Sequence, residues 1–161
     1  MLQPLPVPQS PESKFREYLA SRPRKQRFTK PQQEMIRLIF SRHQHFDAEH
    51  LCSELERARV RISRATVYRT LRKLVEAGLL RQLQFGPRIV YEHDYGYPRH
   101  DHLVCQDCGK VIEFQSGELD RVREQVCQTH QFQPTYYSLV IRGTCADCLK
   151  ERMTKRRLDL V

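Results

Sequence analysis

The sequence contains no run of about 18 consecutive apolar residues, and its N-terminus lacks the apolar segment of a secretory signal peptide. These absences exclude a membrane-spanning helix and secretory export as default interpretations, and we expect a cytoplasmic protein with no membrane partner. Because the cytoplasm is reducing, the six cysteines are expected to be metal ligands or redox groups rather than disulfides.

Acidic residues are scarce, with 19 Asp and Glu against 28 Lys and Arg, which gives a formal net charge of +9. The excess lies in the first part of the chain. Residues 1–91 contain 18 basic and 8 acidic residues, whereas residues 92–161 contain 10 and 11. This concentration of positive charge indicates a polyanionic partner, and the asymmetry indicates two small domains with different roles.

The basic part has the pattern of a winged helix-turn-helix. Four prolines within residues 1–13 predict a disordered leader. Two short strands, 80–85 and 88–92, are predicted to be joined by a turn at Gly86 and Pro87. Three short polar residues precede amphipathic segments and predict helix N-caps: Thr29, Asp47 and Ser63.

The predicted helix after Ser63 has two different faces. One face is apolar, and the other carries Arg64, Tyr68, Arg69 and Arg72. Arginine can bind guanine and phosphates while tyrosine contacts a thymine methyl, so the second face fits a DNA major groove. A basic arm that includes Arg27 is expected to contact a minor groove or phosphates. The alternative is a basic face that is only solvated, and the net charge of residues 1–91 argues against it.

The second part alternates short strands with one helix, which predicts a small α/β domain. Strands are predicted through residues 102–105, 111–114 and 132–141, and a helix over about 117–129. The apolar stripe of that helix is expected to be buried, with a cysteine beside it as a further core position. The stripe consists of Leu119, Val122 and Val126, and the cysteine beside it is Cys127.

Two C-x-x-C pairs in this domain supply four candidate zinc ligands: Cys105, Cys108, Cys145 and Cys148. Each pair can direct two sulfurs at one ion, and four thiolates complete a tetrahedral shell with no open position for a substrate. The 36 residues between the pairs predict that zinc would join the two ends of the domain. The alternatives are a redox pair or core cysteines, but two pairs in one small domain favour structural zinc.

A second set of candidate ligands centres on His100 and His102, which face the same side of a predicted strand. His45, Glu92 and Glu113 could complete a mixed nitrogen and oxygen site. Such a site suits Fe(II), Mn(II) or Co(II), and Zn(II) would also bind. The His-x-His spacing alone leaves open whether this is a metal site or an accident of a surface strand.

Two longer motifs contain most of these residues. They are Ser63-Arg-Ala-Thr66-Val-Tyr68-Arg69-Thr-Leu71 and His100-Asp-His102-Leu-Val-Cys105-Gln-Asp-Cys108-Gly-Lys-Val-Ile-Glu113. Together with Ala48-Glu49, they resemble the ferric uptake regulator (Fur) family from about Arg27 to Cys148. The resemblance implies an α+β fold, with an N-terminal winged helix-turn-helix domain followed by a small α/β dimerisation domain with a four-cysteine zinc site. It also implies a homodimer that binds a palindromic double-stranded DNA operator when its metal is bound.

The resemblance also implies domains and residue roles. We expect the leader over 1–13, the DNA-binding domain over 14–93, a hinge over 94–99, and the dimerisation and metal-binding domain over 100–161. The four paired cysteines would hold structural Zn2+. The regulatory Fe2+ or Mn2+, for which Zn2+ may substitute, would be held by His45, Glu92, His100, His102 and Glu113. The residues of the recognition helix that match family DNA contacts are Tyr68 and Arg69, and Arg27 matches a basic residue that enters the minor groove.

One further metal site of many family members is expected to be absent. It uses two histidines and two acidic residues, and the matching positions here are Arg99, Asp101, Asp120 and Tyr137. Both imidazoles are missing, and a cation has been added.

The regulatory shell favours an Fe(II)-dependent repressor of iron-uptake genes. By resemblance, peroxide sensors use Asp where Glu92 and Glu113 stand, and zinc sensors tend to place a cysteine in the shell. A Mn(II) or Zn(II) sensor comes next, and a peroxide sensor after that.

Two other classes of function compete with a metal sensor. A metal-dependent hydrolase needs an open metal position, and five candidate ligands would nearly fill the shell, so we expect no enzyme activity. The other class is a constitutive DNA-binding protein in which both metals are structural.

Overall fold

The computed structural model describes residues 5–24, 26–42, 44–85, 88–135 and 137–158. The chain divides into two compact units, and the boundary lies between Pro98 and Arg99. The start of the predicted leader and the predicted Gly86-Pro87 turn lie outside the described residues. Within the described ranges, no helix is both long enough and apolar enough to cross a bilayer.

The first unit is a winged helix-turn-helix, as predicted. Its elements are α1 (Pro11–Ser21), α2 (Lys30–Phe40), α3 (Ala48–Arg57), α4 (Arg64–Glu76), β1 (Leu80–Phe85) and β2 (Arg88–His93). The predicted caps are confirmed for α3 and α4, because the side chain of Asp47 accepts from the N–H of His50 and that of Ser63 from the N–H of Thr66. At α2, the N–H of Thr29 donates to the side chain of Gln32.

The apolar faces of all four helices form the core of the first unit. Met35 and Ile36 of α2 and Leu71 and Leu74 of α4 have no exposed surface. The chain leaves α4 through Gly78, whose φ of +62° favours glycine, and the antiparallel hairpin β1–β2 follows. This arrangement holds α4 by one face and leaves its opposite face at the surface.

Helix α1 was not predicted, and the expected disordered leader is wrong at its end. The helix begins at Pro11, and the side chain of Ser10 accepts from the N–H of Ser13. Proline fits a first helical turn because its missing N–H has no partner there, so a proline-rich segment next to a serine can start a helix. Phe15 and Leu19 anchor α1, with 0% and 1% of their surface exposed.

The second unit is a small α/β arrangement. Its elements are β3 (Asp101–Cys105), β4 (Val111–Phe114), α5 (Gly117–Thr129), β5 (Val140–Gly143) and α6 (Ala146–Leu158). The strand order is β4-β3-β5, with β4 antiparallel and β5 parallel to the central strand. The strand predicted over 132–141 is wrong over most of its length, because β3 is five residues long and β5 pairs with it only from Val140.

The apolar stripe of α5 is not buried, contrary to expectation. Leu119, Val122 and Val126 are 38%, 57% and 54% exposed, and Cys127 is only partly buried. Helical periodicity predicts that a face will be covered, but it does not tell which chain covers it. A sheet of three short strands offers this unit little surface on which to bury a helix.

We expect Phe15→Ala to lower the free energy of unfolding of the protein by about 3–5 kcal/mol, because the substitution leaves a cavity under α1. Urea denaturation followed by circular dichroism measures the change. Glu17→Ala, on the exposed face of the same helix, is the control and should shift stability by less than about 0.5 kcal/mol. Equal effects of the two substitutions would mean that α1 is not part of the cooperative core.

Candidate metal centres and DNA-binding face

The four paired cysteines meet at one end of the β3–β5 pair. Their Sγ atoms all lie within 4.8 Å of one another, with 3.9 Å between Cys105 and Cys148 and 3.8 Å between Cys108 and Cys145. A tetrahedral zinc site with Zn–S bonds of about 2.3 Å has sulfurs about 3.8 Å apart. The cluster therefore fits a zinc ion, as the spacing of the two C-x-x-C pairs predicted.

The backbone around the cluster favours thiolates. The N–H of Cys145 donates to Cys105 Sγ at 3.3 Å, and backbone N–H groups of Cys108 and Cys145 lower the pKa of the Cys105 thiol to about 6. The neighbouring sulfurs of Cys145 and Cys108 raise the pKa of Cys148. Four thiolates this close together repel one another, and a bound cation would stabilise all four at once.

Ion pairs fix the two cysteine turns. Asp107, between the first two cysteines, contacts Arg152 of α6, and Asp147, between the last two, contacts Lys110 at 2.8 Å. Each ion pair connects the aspartate inside one cysteine turn to a basic residue that follows the other turn in the sequence. Neither pair was expected from the sequence, although the two Asp residues occupy equivalent positions in the two motifs.

The first unit holds two of the five predicted regulatory ligands in contact. His45 Nε2 lies 3.0 Å from Glu92 Oε2, and the Glu92 side chain is 2% exposed. The other carboxylate oxygen of Glu92 is 3.2 Å from the guanidinium of Arg81, which also contacts Asp94. Arg81 was missed, although the register of the β1–β2 hairpin places it opposite Glu92.

The second unit brings the other three together. The rings of His100 and His102 have centroids 4.9 Å apart, and the two residues are 5% and 1% exposed. Glu113 of β4 is the register partner of His102 on β3, so their side chains share a face of the sheet. The predicted ligands thus form one cluster in each unit, rich in imidazole and carboxylate groups that suit Fe(II), Mn(II) or Zn(II).

Protein cations lie in the region where the further metal site of many family members is expected to be absent. Arg123 contacts Asp120 at 2.6 Å, and its guanidinium lies 3.8 Å from the centroid of the Tyr137 ring. The Tyr137 hydroxyl donates to Asp120 at 3.3 Å, and Arg99 lies 5.7 Å from the same ring. These residues do not fit a divalent cation, because the guanidinium of Arg123 already compensates the charge of the Asp120 carboxylate. Arg123 was not expected here, because it lies outside the positions that match the family motif.

The exposed face of α4 carries every side chain predicted for it. Arg64, Tyr68, Arg69 and Arg72 are all exposed, and Arg27 is exposed in the segment before α2. Their opposite face is the buried stripe of Val67, Thr70, Leu71 and Leu74. A helix held in this way can enter a major groove with its basic face first.

Carboxylates of neighbouring residues contact three of these four α4 side chains. Glu49 of α3 contacts both Arg64 and Tyr68, and Glu76 contacts Arg72. Arg69 instead donates to the hydroxyl of Thr66 at 3.2 Å. In the sequence, Glu49 was visible only as part of a motif, and its contact with α4 was not expected.

Comparison with known proteins agrees with the geometry. Residues 24–142 match the model of the ferric uptake regulator family. A ferric uptake regulation protein of Campylobacter jejuni is 30% identical over 128 residues, which cover 78% of this chain and 82% of the relative. A peroxide-responsive repressor, PerR, of Staphylococcus epidermidis is also 30% identical, over 78% and 83% of the two chains.

Solved structures resemble the fold as well. The structure of a ferric uptake regulator from Pseudomonas aeruginosa with manganese superposes with a TM-score of 0.71 and 28% identity, over 86% of this chain and 99% of that one. A winged helix, a cluster of four cysteines and a family match over most of the chain therefore agree. The chain belongs to the ferric uptake regulator family of metal-responsive, DNA-binding transcription regulators.

Proposed function

We propose that this protein is a homodimeric repressor that binds its operator when a regulatory metal joins its two units. The domains are the winged helix, which starts with α1 at Pro11 rather than at residue 14 and ends at residue 93, a hinge over 94–99 and the metal-binding and dimerisation domain over 100–161. The observation that carries the proposal is the division of the ligand set, with one cluster in each unit on either side of this hinge. A metal supplies the positive charge that lets both clusters bind a common centre.

The residues of each unit have separate tasks in this proposal. His45 and Glu92 offer ligands from the DNA-binding unit, and His100, His102 and Glu113 offer ligands from the second unit. When all five hold one ion, the hinge loses freedom, and the two α4 helices of a dimer keep the spacing that successive major grooves require. DNA affinity and metal affinity then increase each other by the same factor.

The exposed apolar stripe of α5 supports a homodimer. Val122 and Val126 are more than half exposed, and Leu103, Ile112 and Ile141 of the sheet are each more than a third exposed. So much apolar surface on a small unit favours burial against a second copy. Dimerisation through the second unit leaves both α4 helices available for DNA.

Fe(II) is the regulatory metal we propose, because Glu stands at both carboxylate positions and the Campylobacter jejuni relative is named a ferric uptake regulation protein. Mn(II) or Zn(II) is the second choice, since a related regulator was solved with manganese. Similarity to a peroxide-responsive repressor keeps peroxide sensing as the third. The relatives are regulators of transcription, and no described feature favours the hydrolase alternative.

Structural zinc can be tested by Cys108→Ser. We expect the variant to lose one zinc per protomer and to unfold its second unit, because the other three sulfurs cannot close the shell. Elemental analysis and circular dichroism measure the two effects. Cys127→Ser is the control, since Cys127 lies outside the cluster and should keep the zinc. Full zinc content in Cys108→Ser would refute the assignment.

The regulatory site can be tested by operator binding with and without Fe(II) or Mn(II). In wild type we expect the metal to tighten binding by roughly 5–150-fold, the usual range for coupled sites. His100→Ala should lose this gain, while His130→Ala, which removes an exposed histidine, should keep it. If the metal leaves the affinity of wild type unchanged, the proposed clamp is wrong. A constitutive DNA-binding protein would also keep full affinity after dialysis against a mild chelator.

Arg69→Ala tests the DNA face. We expect weaker binding to all duplexes and a salt dependence that is shallower by about one unit of slope, because one phosphate contact is lost. Arg121→Ala removes the same charge from α5 of the second unit and is the matched control. An unchanged slope for Arg69→Ala would remove this residue from the phosphate contacts.

A further inference from the structure

The carboxylate of Glu49 bridges two side chains of the proposed recognition helix. Its Oε2 lies 2.8 Å from Arg64 Nη2, and its Oε1 accepts from the Tyr68 hydroxyl at 2.7 Å. Glu49 lies in the first turn of α3, and the backbone N–H of His50 is bonded to the Asp47 cap. A short, capped helix end thus presents a negative charge on the DNA-facing side of α4.

This contact is not needed to hold the fold together. The side chains of Glu49 and Arg64 are 57% and 62% exposed, and exposed ion pairs contribute little to stability. The hydrogen bond to Glu49 raises the pKa of Tyr68, as expected for a phenol that donates to a carboxylate. The bridge therefore favours one orientation of the Arg64 and Tyr68 side chains and contributes little to the stability of the fold.

The other carboxylate that contacts this face, that of Glu76 at the end of α4, is placed differently. Glu76 contacts Arg72, but it also contacts Tyr18 and Arg22 of the α1 region, so its charge is shared with the scaffold. The Glu49 carboxylate, in contrast, contacts two side chains of α4 itself, Arg64 and Tyr68. A carboxylate with these two partners affects DNA binding more directly than it affects folding.

A negative charge at this place has opposite effects on two kinds of DNA binding. It opposes the attraction to phosphates, which supplies nearly all sequence-independent affinity. It also holds one guanidinium and one phenol in fixed positions, and base edges are read by side chains in fixed positions. The two effects together increase the difference between a correct site and any other duplex.

We propose that Glu49 is a specificity-determining residue, which weakens binding to all DNA and restores part of that loss at the operator by orienting Tyr68 and Arg64. The proposal rests on the proposed role of α4 as the helix that reads DNA. Glu49 acts through its two partners and through its charge, and it needs no contact of its own with a base.

The test uses DNA that the protein itself selects. Wild type loaded with Mn(II) selects a duplex from a random pool, and a scrambled duplex of the same length and composition serves as the non-specific probe. Glu49→Gln removes the charge but keeps an acceptor for Tyr68. We expect its affinity for the scrambled duplex to rise roughly three- to tenfold and its salt slope to steepen by about one, as one more cation becomes available to phosphates.

Affinity of Glu49→Gln for the selected duplex should rise less, so that the ratio of the two affinities falls. Glu49→Ala removes the acceptor as well and should lower the ratio further. Glu56→Gln makes the same charge change at an exposed position near the other end of α3 and should leave the ratio at the wild-type value.

Four results would decide against the proposal. Equal tightening on both duplexes would mean that Glu49 acts only through net charge, and no change on either would mean that it has no role. A ratio that falls equally in Glu56→Gln would mean that the loss of any negative charge on α3 has this effect and that the position of Glu49 does not matter. A wild type that selects no duplex, together with full DNA affinity in Arg69→Ala, would instead overturn the proposed function and this proposal with it.

Discussion

The convergence of four sulfurs is the constraint on which the second unit depends. Among the described residues, the buried apolar side chains of the protein lie in the first unit, with the exception of Cys105. No described residue of α5 is buried, and the sheet has three short strands. A unit of this size with so little apolar core needs a cross-link, a metal or a second chain to stay folded. The four-cysteine cluster offers a site for a metal, and the exposed α5 stripe offers an apolar surface for a second chain.

Much of this arrangement could be predicted from local sequence. The caps of α3 and α4, the hairpin and the cysteine spacing are local patterns, and each has one favoured solution. Helix α1 is hard to predict because several prolines close together indicate disorder, whereas a single proline at a first helical position favours a helix. The roles of Arg81 and Arg123 depend on contacts with Glu92 and Tyr137, which only the folded register brings together. The partner of the α5 stripe is a property of the assembly, so neither periodicity nor one chain defines it.

Two clusters of the second unit differ in the kind of cation that they suit. Arg123 neutralises Asp120 and packs on Tyr137, so this cluster ties α5 to the segment before β5 without a metal. The imidazoles of His100 and His102 contact each other, and a neutral imidazole is a metal ligand rather than a counter-ion. The unit thus combines a fixed ion pair with a set of groups suited to reversible metal binding.

Glu92 of the first unit combines both features, because it contacts an arginine and an imidazole. Its buried carboxylate is divided between Arg81, which compensates its charge, and His45, which contacts its second oxygen. Without a cationic partner such as Arg81, an ionised carboxylate at 2% exposure would be costly to bury. With Arg81 present, any ion bound at Glu92 must share the carboxylate with a guanidinium. In the proposed sensor the guanidinium competes with the metal for this carboxylate and so weakens the binding of the metal, and regulation by metal requires that the metal can leave.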